Sequence, residues 1–407
     1  MDYRFSMIMV VSKPIKGLVL IIFYIFVPLI SVEILCQLRF KDELQNSWFQ
    51  QGTNSQKELY PLGNTQPPNM NAQSISPFVS SSHQKQTRTL IRFQTDQYGA
   101  ILPSGVNQAL SSDQPFILFC GGSTSENWAV PEGQRMPDAY GHAIGKSVIN
   151  IAKSGKDIHD CTKSIDKFFS LFPNNPPSQI VVANNVNTLM AFSKNKIESQ
   201  SSAETSERPN PSFKTFLRKW LVEQNFLPGT YLAAHKVKYL FSENLPIEDS
   251  LLAKCCHGPA DVNRHGKNFD WASQSTMESY KRYTDKASRN LAAELKKNNF
   301  PLNRTLIFIE PNSYALDRTI GKFDFRQKLV GFEPNEELTL KESSKITNQY
   351  DCIYKHSFTK EGFQTASIRP ELLKGTHFYD AVHPTAVGAQ FIGKQLAQEA
   401  ILSGTLK

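Results

Sequence analysis

Residues 115–127, Pro-Phe-Ile-Leu-Phe-Cys-Gly-Gly-Ser-Thr-Ser-Glu-Asn, constrain this chain more than any other stretch. Four apolar residues and a cysteine between turn formers predict a short, fully buried strand of the kind found at the centre of a parallel sheet. Gly121 and Gly122 let the backbone bend sharply at its end without a Cβ penalty. Ser123 then falls at the carboxyl end of the strand, the side on which open α/β sheets hold their ligands. A hydroxyl there can serve as a nucleophile, or the stretch can be an ordinary strand-to-loop turn.

The far end of the chain favours the first reading. Phe378-Tyr-Asp380-Ala-Val-His383-Pro-Thr385 precedes a segment, residues 386–402, whose Ala389, Ile392, Leu396 and Ala400 recur at near-helical spacing. Pro384 suits the entry to a helix. An Asp three residues before a His, on the loop entering that helix, can aim its carboxylate at the imidazole and fix the tautomer that a serine triad needs.

Between these ends the chain alternates short apolar runs with helix-length segments. Strands are predicted at 147–152, 179–183 and 305–309, a crossover helix at 136–146, and a short edge strand in 90–99. Each central strand closes on small or polar residues: Lys153-Ser-Gly155, Asn184-Asn-Val-Asn187 and Glu310-Pro-Asn. The fold class this predicts is α/β, a doubly wound, mostly parallel sheet sandwiched by helices, with its site along one sheet edge.

These residues resemble the SGNH, or GDSL-type, hydrolase superfamily from about Leu90 to the C-terminus, with a divergent insertion between. Ser123 in Gly-Gly-Ser-Thr stands at the family's nucleophile position, although the usual Gly-Asp-Ser is replaced. Gly155 matches the glycine whose N–H helps form the oxyanion hole. Asn187, in Asn185-Val-Asn-Thr188, falls where the family's Gly-x-Asn-Asp has its oxyanion asparagine, without that pattern's first Gly and last Asp. Asp380 and His383 match Asp-x-x-His in full. The Gly-x-Ser-x-Gly elbow of the α/β-hydrolases does not fit, because Ser125 occupies the second glycine's place.

The resemblance implies acyl transfer through Ser123, with His383 as base and Asp380 as its orienter. The N–H groups of Ser123 and Gly155 and the Asn187 amide would form the oxyanion hole. No metal or organic cofactor is expected. Cys255-Cys256-His257 with His265 has the residue types of a zinc site but matches no common ligand spacing.

The N-terminus gives a location. Arg4, Lys13 and Lys16 stand against Asp2 in residues 1–16, and residues 17–38 are apolar apart from Ser31, Glu33 and Gln37. That is just long enough to cross a bilayer. No small-residue cleavage pattern follows, so an uncleaved anchor is expected rather than a signal peptide. The basic flank puts the N-terminus in the cytoplasm and the rest outside. Residues 39–89, rich in Gln, Asn, Ser and Pro, read as a flexible stalk. The hydrolase-like domain is then 90–407, with an insertion at about 194–301.

Within the insertion, residues 194–210 read as an exposed polar loop. Phe213, Phe216, Leu217, Trp220 and Leu221 form one apolar helical face, which reads first as core and otherwise as a lid over the site or a membrane-facing helix. Of six cysteines, Cys36 falls in the apolar span and the other five lie beyond it, so their pairing is open. Cys120, in the central strand, reads as a buried thiol. The net charge of +8 reads as a solvated basic surface, and no nucleic-acid motif accompanies it. Two functional classes follow. One is a membrane-anchored, extracytoplasmic esterase, or an O-acyltransferase of the same fold, acting on an acylated glycan or lipid. The other is a non-catalytic envelope binding or assembly protein.

Overall fold

The computed structural model describes residues 27–39, 60–76, 89–112, 114–201, 273–311, 340–374, 377–378 and 382–405. The chain divides into two compact units, residues 1–53 with 208–245, and residues 54–207 with 246–407. In the first unit the described element is helix α1 (Val27–Arg39). It covers the second half of the expected span, and Ile30, Leu35 and Leu38 on it are exposed. Among the described residues no helix is long and apolar enough to cross a membrane. Residues 17–26, the first half of that span, lie outside them.

The second unit is built on a five-stranded, all-parallel sheet. Its strands are β3 (Phe116–Gly121), β4 (Ser147–Asn150), β5 (Gln179–Ala183), β6 (Thr305–Ile309) and β7 (Gln364–Ser367), in the spatial order β4-β3-β5-β6-β7. All six residues of β3 are buried, as expected of a strand covered on both faces. The pleat sends them alternately to two cores. Leu118 and Cys120 face one with Ile180, Val182 and Ile307, whereas Ile117 and Phe119 face the other with Val181, Leu306 and Phe308.

The helices follow the direction of winding. From β3 to β4 the chain moves one way along the sheet through α4 (Met136–Ile144), which packs on the second face. A four-residue helix α3 (Ser123–Glu126) precedes it, and α2 (Val106–Ser111) precedes β3. From β4 onward the winding reverses. Helix α5 (Ile158–Leu171), between β4 and β5, then covers the first face, joined by α6 (Asn185–Ser201) as it leaves β5 and by α7 (Gln274–Lys297) and α8 (Leu340–Lys360). Right-handed crossovers demand this exchange of faces when direction reverses. Helix α9 (Ala386–Leu402) completes the second face beside α4, with Ala389, Ile392, Leu396 and Ala400 buried as their spacing predicted. The point of reversal lies between the carboxyl ends of β3 and β5, where such sheets open a crevice for ligands.

Four expectations are corrected. The composition of residues 39–89 suggested a free stalk, yet residues 60–76 pack into the second unit. β1 (Asn71–Ser76) pairs antiparallel with β2 (Thr89–Gln94), and Leu62, Thr65, Gln66, Met70 and Ala72 are buried. The polar stretch from Lys194 is helical as far as Ser201, since no Gly or Pro interrupts it there. The insertion is shorter than 194–301, because α7 buries Tyr280, Ala287, Leu291 and Leu295 in the first core. Cys120 is not a thiol but is bonded to Cys161 in α5, with Cα atoms 5.9 Å apart. Its place on β3 sends it toward the face on which α5 packs. The helix expected at Phe213 to Leu221, and Cys255, Cys256, His257 and His265, lie outside the described residues.

Candidate active site

Ser123 follows β3 directly and opens α3, with Gly122 extended before it (φ −92°, ψ −154°). The turn is tied across the crevice by the Gly122 N–H, which donates to the Ala183 carbonyl at the end of β5 (3.1 Å). Neither glycine has room for a side chain. A Cβ on Gly121 would overlap Ser125, and one on Gly122 would overlap the Asn187 amide. Both are thus required by close approach, with no positive φ at either.

His383 reaches the serine from the loop before α9. Its Nε2 lies 2.8 Å from Ser123 Oγ, across 260 residues of sequence. Ser123 is half-buried and the imidazole is buried. The loop is fixed at several points. Thr385 caps α9 by accepting from the Gly388 N–H (3.1 Å), and its own N–H donates to the His377 carbonyl (2.9 Å). Asn127, the left-handed residue that ends α3 (φ +36°), donates its amide to the Pro384 carbonyl at 2.8 Å. The Ser123 turn and the histidine loop are therefore joined one residue from the imidazole. Asp380 lies outside the described residues.

The candidate oxyanion donors come from the ends of β4 and β5. Residues 153–156 form a turn in which the Lys153 N–H donates to Gly121 O (3.1 Å), the Ser154 N–H to Glu126 Oε2 (2.7 Å) and the Lys156 N–H to Lys153 O (3.0 Å). Gly155 is left-handed (φ +75°) and exposed, and its N–H has no acceptor among the described residues. Asn187, in the first turn of α6, donates one amide hydrogen to Lys156 O (3.2 Å) and retains a second. The amide lies against Gly122, the residue before Ser123. Lys156 is itself buried, its ammonium donating to Ile151 O at 2.9 Å, and burial pushes its pKa down to about 7.

Beneath Ser123 lies a polar layer that sequence reasoning missed. Glu310, just past β6, accepts from the hydroxyls of Thr124 and Ser125, and its N–H donates to Asn185 Oδ1 (2.9 Å). Burial raises its pKa to about 8, against the pull of the Thr124 hydrogen bond and of nearby His383. Asn185 Nδ2 donates to Asp351 (2.8 Å), whose pKa burial raises to about 7. On the other side, the buried Glu126 accepts from Ser154, Trp128 and Gln66. The sequence signal for both glutamates was slight, a carboxylate just past a buried strand or its turn. Among the described residues no group of three or more His, Cys, Asp or Glu could hold a metal ion.

No protein-family model matches the chain. No curated protein matches it either. Among solved structures it is similar to LAE5, an alpha/beta hydrolase enzyme from the metagenome of Lake Arreo, Spain. That likeness has 8% identity and a TM-score of 0.35, covering 73% of this chain and 98% of that one. It is also similar to a protein described as lipolytic, of the G-D-S-L family, from Desulfitobacterium hafniense DCB-2. Here the identity is 7% and the TM-score 0.34, with 70% and 99% covered. At such scores neither neighbour carries an argument about this chain, whose reading rests on its own residues.

Proposed function

We propose that this chain is a serine hydrolase of carboxylic esters, and the observation that carries the reading is the 2.8 Å approach of Ser123 Oγ to His383 Nε2 at the crevice of the sheet. A hydroxyl is a weak nucleophile until a positioned base takes its proton. Here the base stands at hydrogen-bond distance, the first requirement of such a pair. Ser123 Oγ attacks the ester carbonyl as His383 Nε2 accepts its proton. The tetrahedral oxygen that forms is met by the N–H groups of Ser123 and Gly155 and by the free amide hydrogen of Asn187. His383 then returns the proton to the leaving alcohol. A water, deprotonated by the same nitrogen, next cleaves the acyl-enzyme to release the acid and restore Ser123. Asp380, three residues before His383, is assigned the orienting role.

We place the reaction outside the cytoplasm, on a chain anchored through residues 17–38. The Cys120–Cys161 disulfide supports this location, because disulfides persist in oxidising compartments and are rare in the cytosol. The proposed substrates are acyl esters of a cell-surface glycan or lipid, the esters that an anchored enzyme on that side of the membrane meets.

One experiment tests nucleophile and location together. A charged, membrane-impermeant fluorophosphonate applied to intact cells should label the wild-type chain at Ser123 and leave Ser123→Ala unlabelled. Purified Ser123→Ala and His383→Ala should each lose ester turnover by at least about 10³-fold. Labelling that appeared only after lysis would remove the location and keep the nucleophile. Turnover retained by a folded Ser123→Ala would remove the nucleophile.

A further inference from the structure

Glu126 is the last residue of α3 and is 2% exposed, an unusual place for a carboxylate. All of its hydrogen bonds come from donors. Oε2 accepts from both the backbone N–H (2.7 Å) and the hydroxyl of Ser154, and Oε1 accepts from the Trp128 indole N–H (2.5 Å) and the Gln66 amide. One carboxylate therefore joins three segments distant in sequence: the nucleophile helix, the 153–156 turn and the N-terminal segment at residues 60–66. Two further bonds brace the same junction, since Lys153 Nζ donates to Thr65 O (2.7 Å) and the Lys153 N–H to Gly121 O (3.1 Å).

The consequence falls on the next residue. In the 153–156 turn the N–H groups of Lys153, Ser154 and Lys156 are all engaged within the protein, whereas that of the exposed Gly155 has no acceptor among the described residues. Gly155 sits at φ +75°, where a glycine is readily reoriented, so its N–H direction is set by what holds its neighbours. The Ser154 peptide is held by Glu126. Burial raises the pKa of Glu126, opposed by the hydrogen bonds from Ser154 and Trp128 and by nearby Lys153. An acceptor-only carboxylate is the form that satisfies every one of these donors.

We propose that Glu126 is a positioning residue that clamps the 153–156 turn to the nucleophile helix, with Gln66 completing the clamp, so that the Gly155 N–H points at the oxygen on which charge develops. The clamp rests on the hydrolase reading for its catalytic meaning but not for its structural one. An oxyanion donor works only when aimed at the position the charged oxygen will take, and small misplacements carry large rate losses.

The test uses the full-length chain in detergent, as wild type and as Glu126→Gln, which keeps the size of the side chain but turns an amide toward donors. Hydrogen exchange should quicken in peptides covering residues 151–157 and stay unchanged across β5 and α9. On a small aryl ester, kcat should fall about 10- to 100-fold with KM within about threefold. Adding Asn187→Ala should cost less in the clamp variant than in wild type, because both act on one oxyanion hole. Exchange in residues 151–157 that matched wild type would overturn the clamp, whatever happened to turnover. Faster exchange with unchanged kcat would overturn its catalytic role. If the wild-type chain neither turned over esters nor reacted with fluorophosphonate at Ser123, the hydrolase reading would fail while the exchange result still decided the clamp. Should Glu126→Gln not fold, Ser154→Ala, which removes one donor and spares the carboxylate, carries the same readouts with smaller changes expected.

Discussion

Glu310 stands at the end of β6 with its carboxyl fully buried beneath Thr124 and Ser125, and this has a consequence for stability that can be measured apart from catalysis. Its folded pKa is raised to about 8, whereas an unfolded Glu titrates near ~4.3. Between those two values the folded chain keeps a proton that the unfolded chain has lost, so stability falls as pH rises through that window. Below it both states are protonated and the group contributes nothing to the difference. Glu310→Gln keeps an acceptor for Thr124 and removes the titration. The variant should thus gain on wild type steadily from pH 5 to pH 8, by up to a few kcal/mol at about 1.4 kcal/mol per unit, and level off above. Thermal melts of both proteins at one-unit steps check this, and a pH-independent difference would show that Glu310 does not titrate there. Neither Glu310 nor Glu126 was legible in the sequence as part of the site. Ser123 and His383 could be nominated from it, because a hydroxyl after Gly-Gly and a His three residues after an Asp are unusual residue types in telling places, and the fold brings the two within 2.8 Å. A buried glutamate looks in sequence like any solvated one, since its partners, Ser154, Gln66 and Thr124, are assembled only by the fold.

At the scale of elements, the central strands could be read almost to the residue because they are buried on both faces and so lack polar positions. β5 and β6 coincide with the expected 179–183 and 305–309. β7 was missed for the opposite reason. It lies at the sheet's edge, and of Gln364-Thr-Ala-Ser only Ala366 is buried. α7 carries a helical stripe, but its many Lys, Arg, Glu and Ser residues let it pass as insertion. The disulfide could not be read from cysteine count at all, since it depends on which residue of β3 faces α5. It joins the central strand, three residues before Ser123, to the helix that covers it, and closes a loop of 41 residues. Chain-entropy arguments give about 4 kcal/mol for such a loop, with measured values of roughly 2–5 kcal/mol for native bridges. The Cys120→Ala/Cys161→Ala double variant should lose stability in that range in denaturant titrations. A variant as stable as wild type would mean that packing of α5 on β3 holds the pair together without the bond.

At the scale of the whole molecule, the boundary of the second compact unit matters most, because composition placed it near Leu90 and packing places it before Tyr60. Residues 60–76 contain no apolar run, which is why they resembled a stalk. They are buried instead by single contacts, in which individual polar groups meet partners from the rest of the unit. Asn64 donates to Asp160 (2.8 Å), Thr65 accepts from Lys153 and Gln66 donates to Glu126, while β1 pairs along β2. Leu62 and Met70 are 0% and 3% exposed, each worth about 1.5–3 kcal/mol when fully buried. Two of these contacts end on the 153–156 turn or the carboxylate that holds it, so the proposed clamp predicts that the segment bears on both stability and turnover. A chain beginning at Asn54, where the compact unit starts, should match the full-length protein in melting temperature and in kcat on a small aryl ester. A chain beginning at Thr89 should melt several degrees lower, and its kcat should fall about tenfold or more even well below that melting point, because Gln66 and the Thr65 carbonyl no longer brace the turn. Restoring residues 54–76 as a separate peptide should recover part of the loss. Equal turnover from the two truncated chains would return residues 60–76 to the stalk and confine the site to the sequence after Leu90.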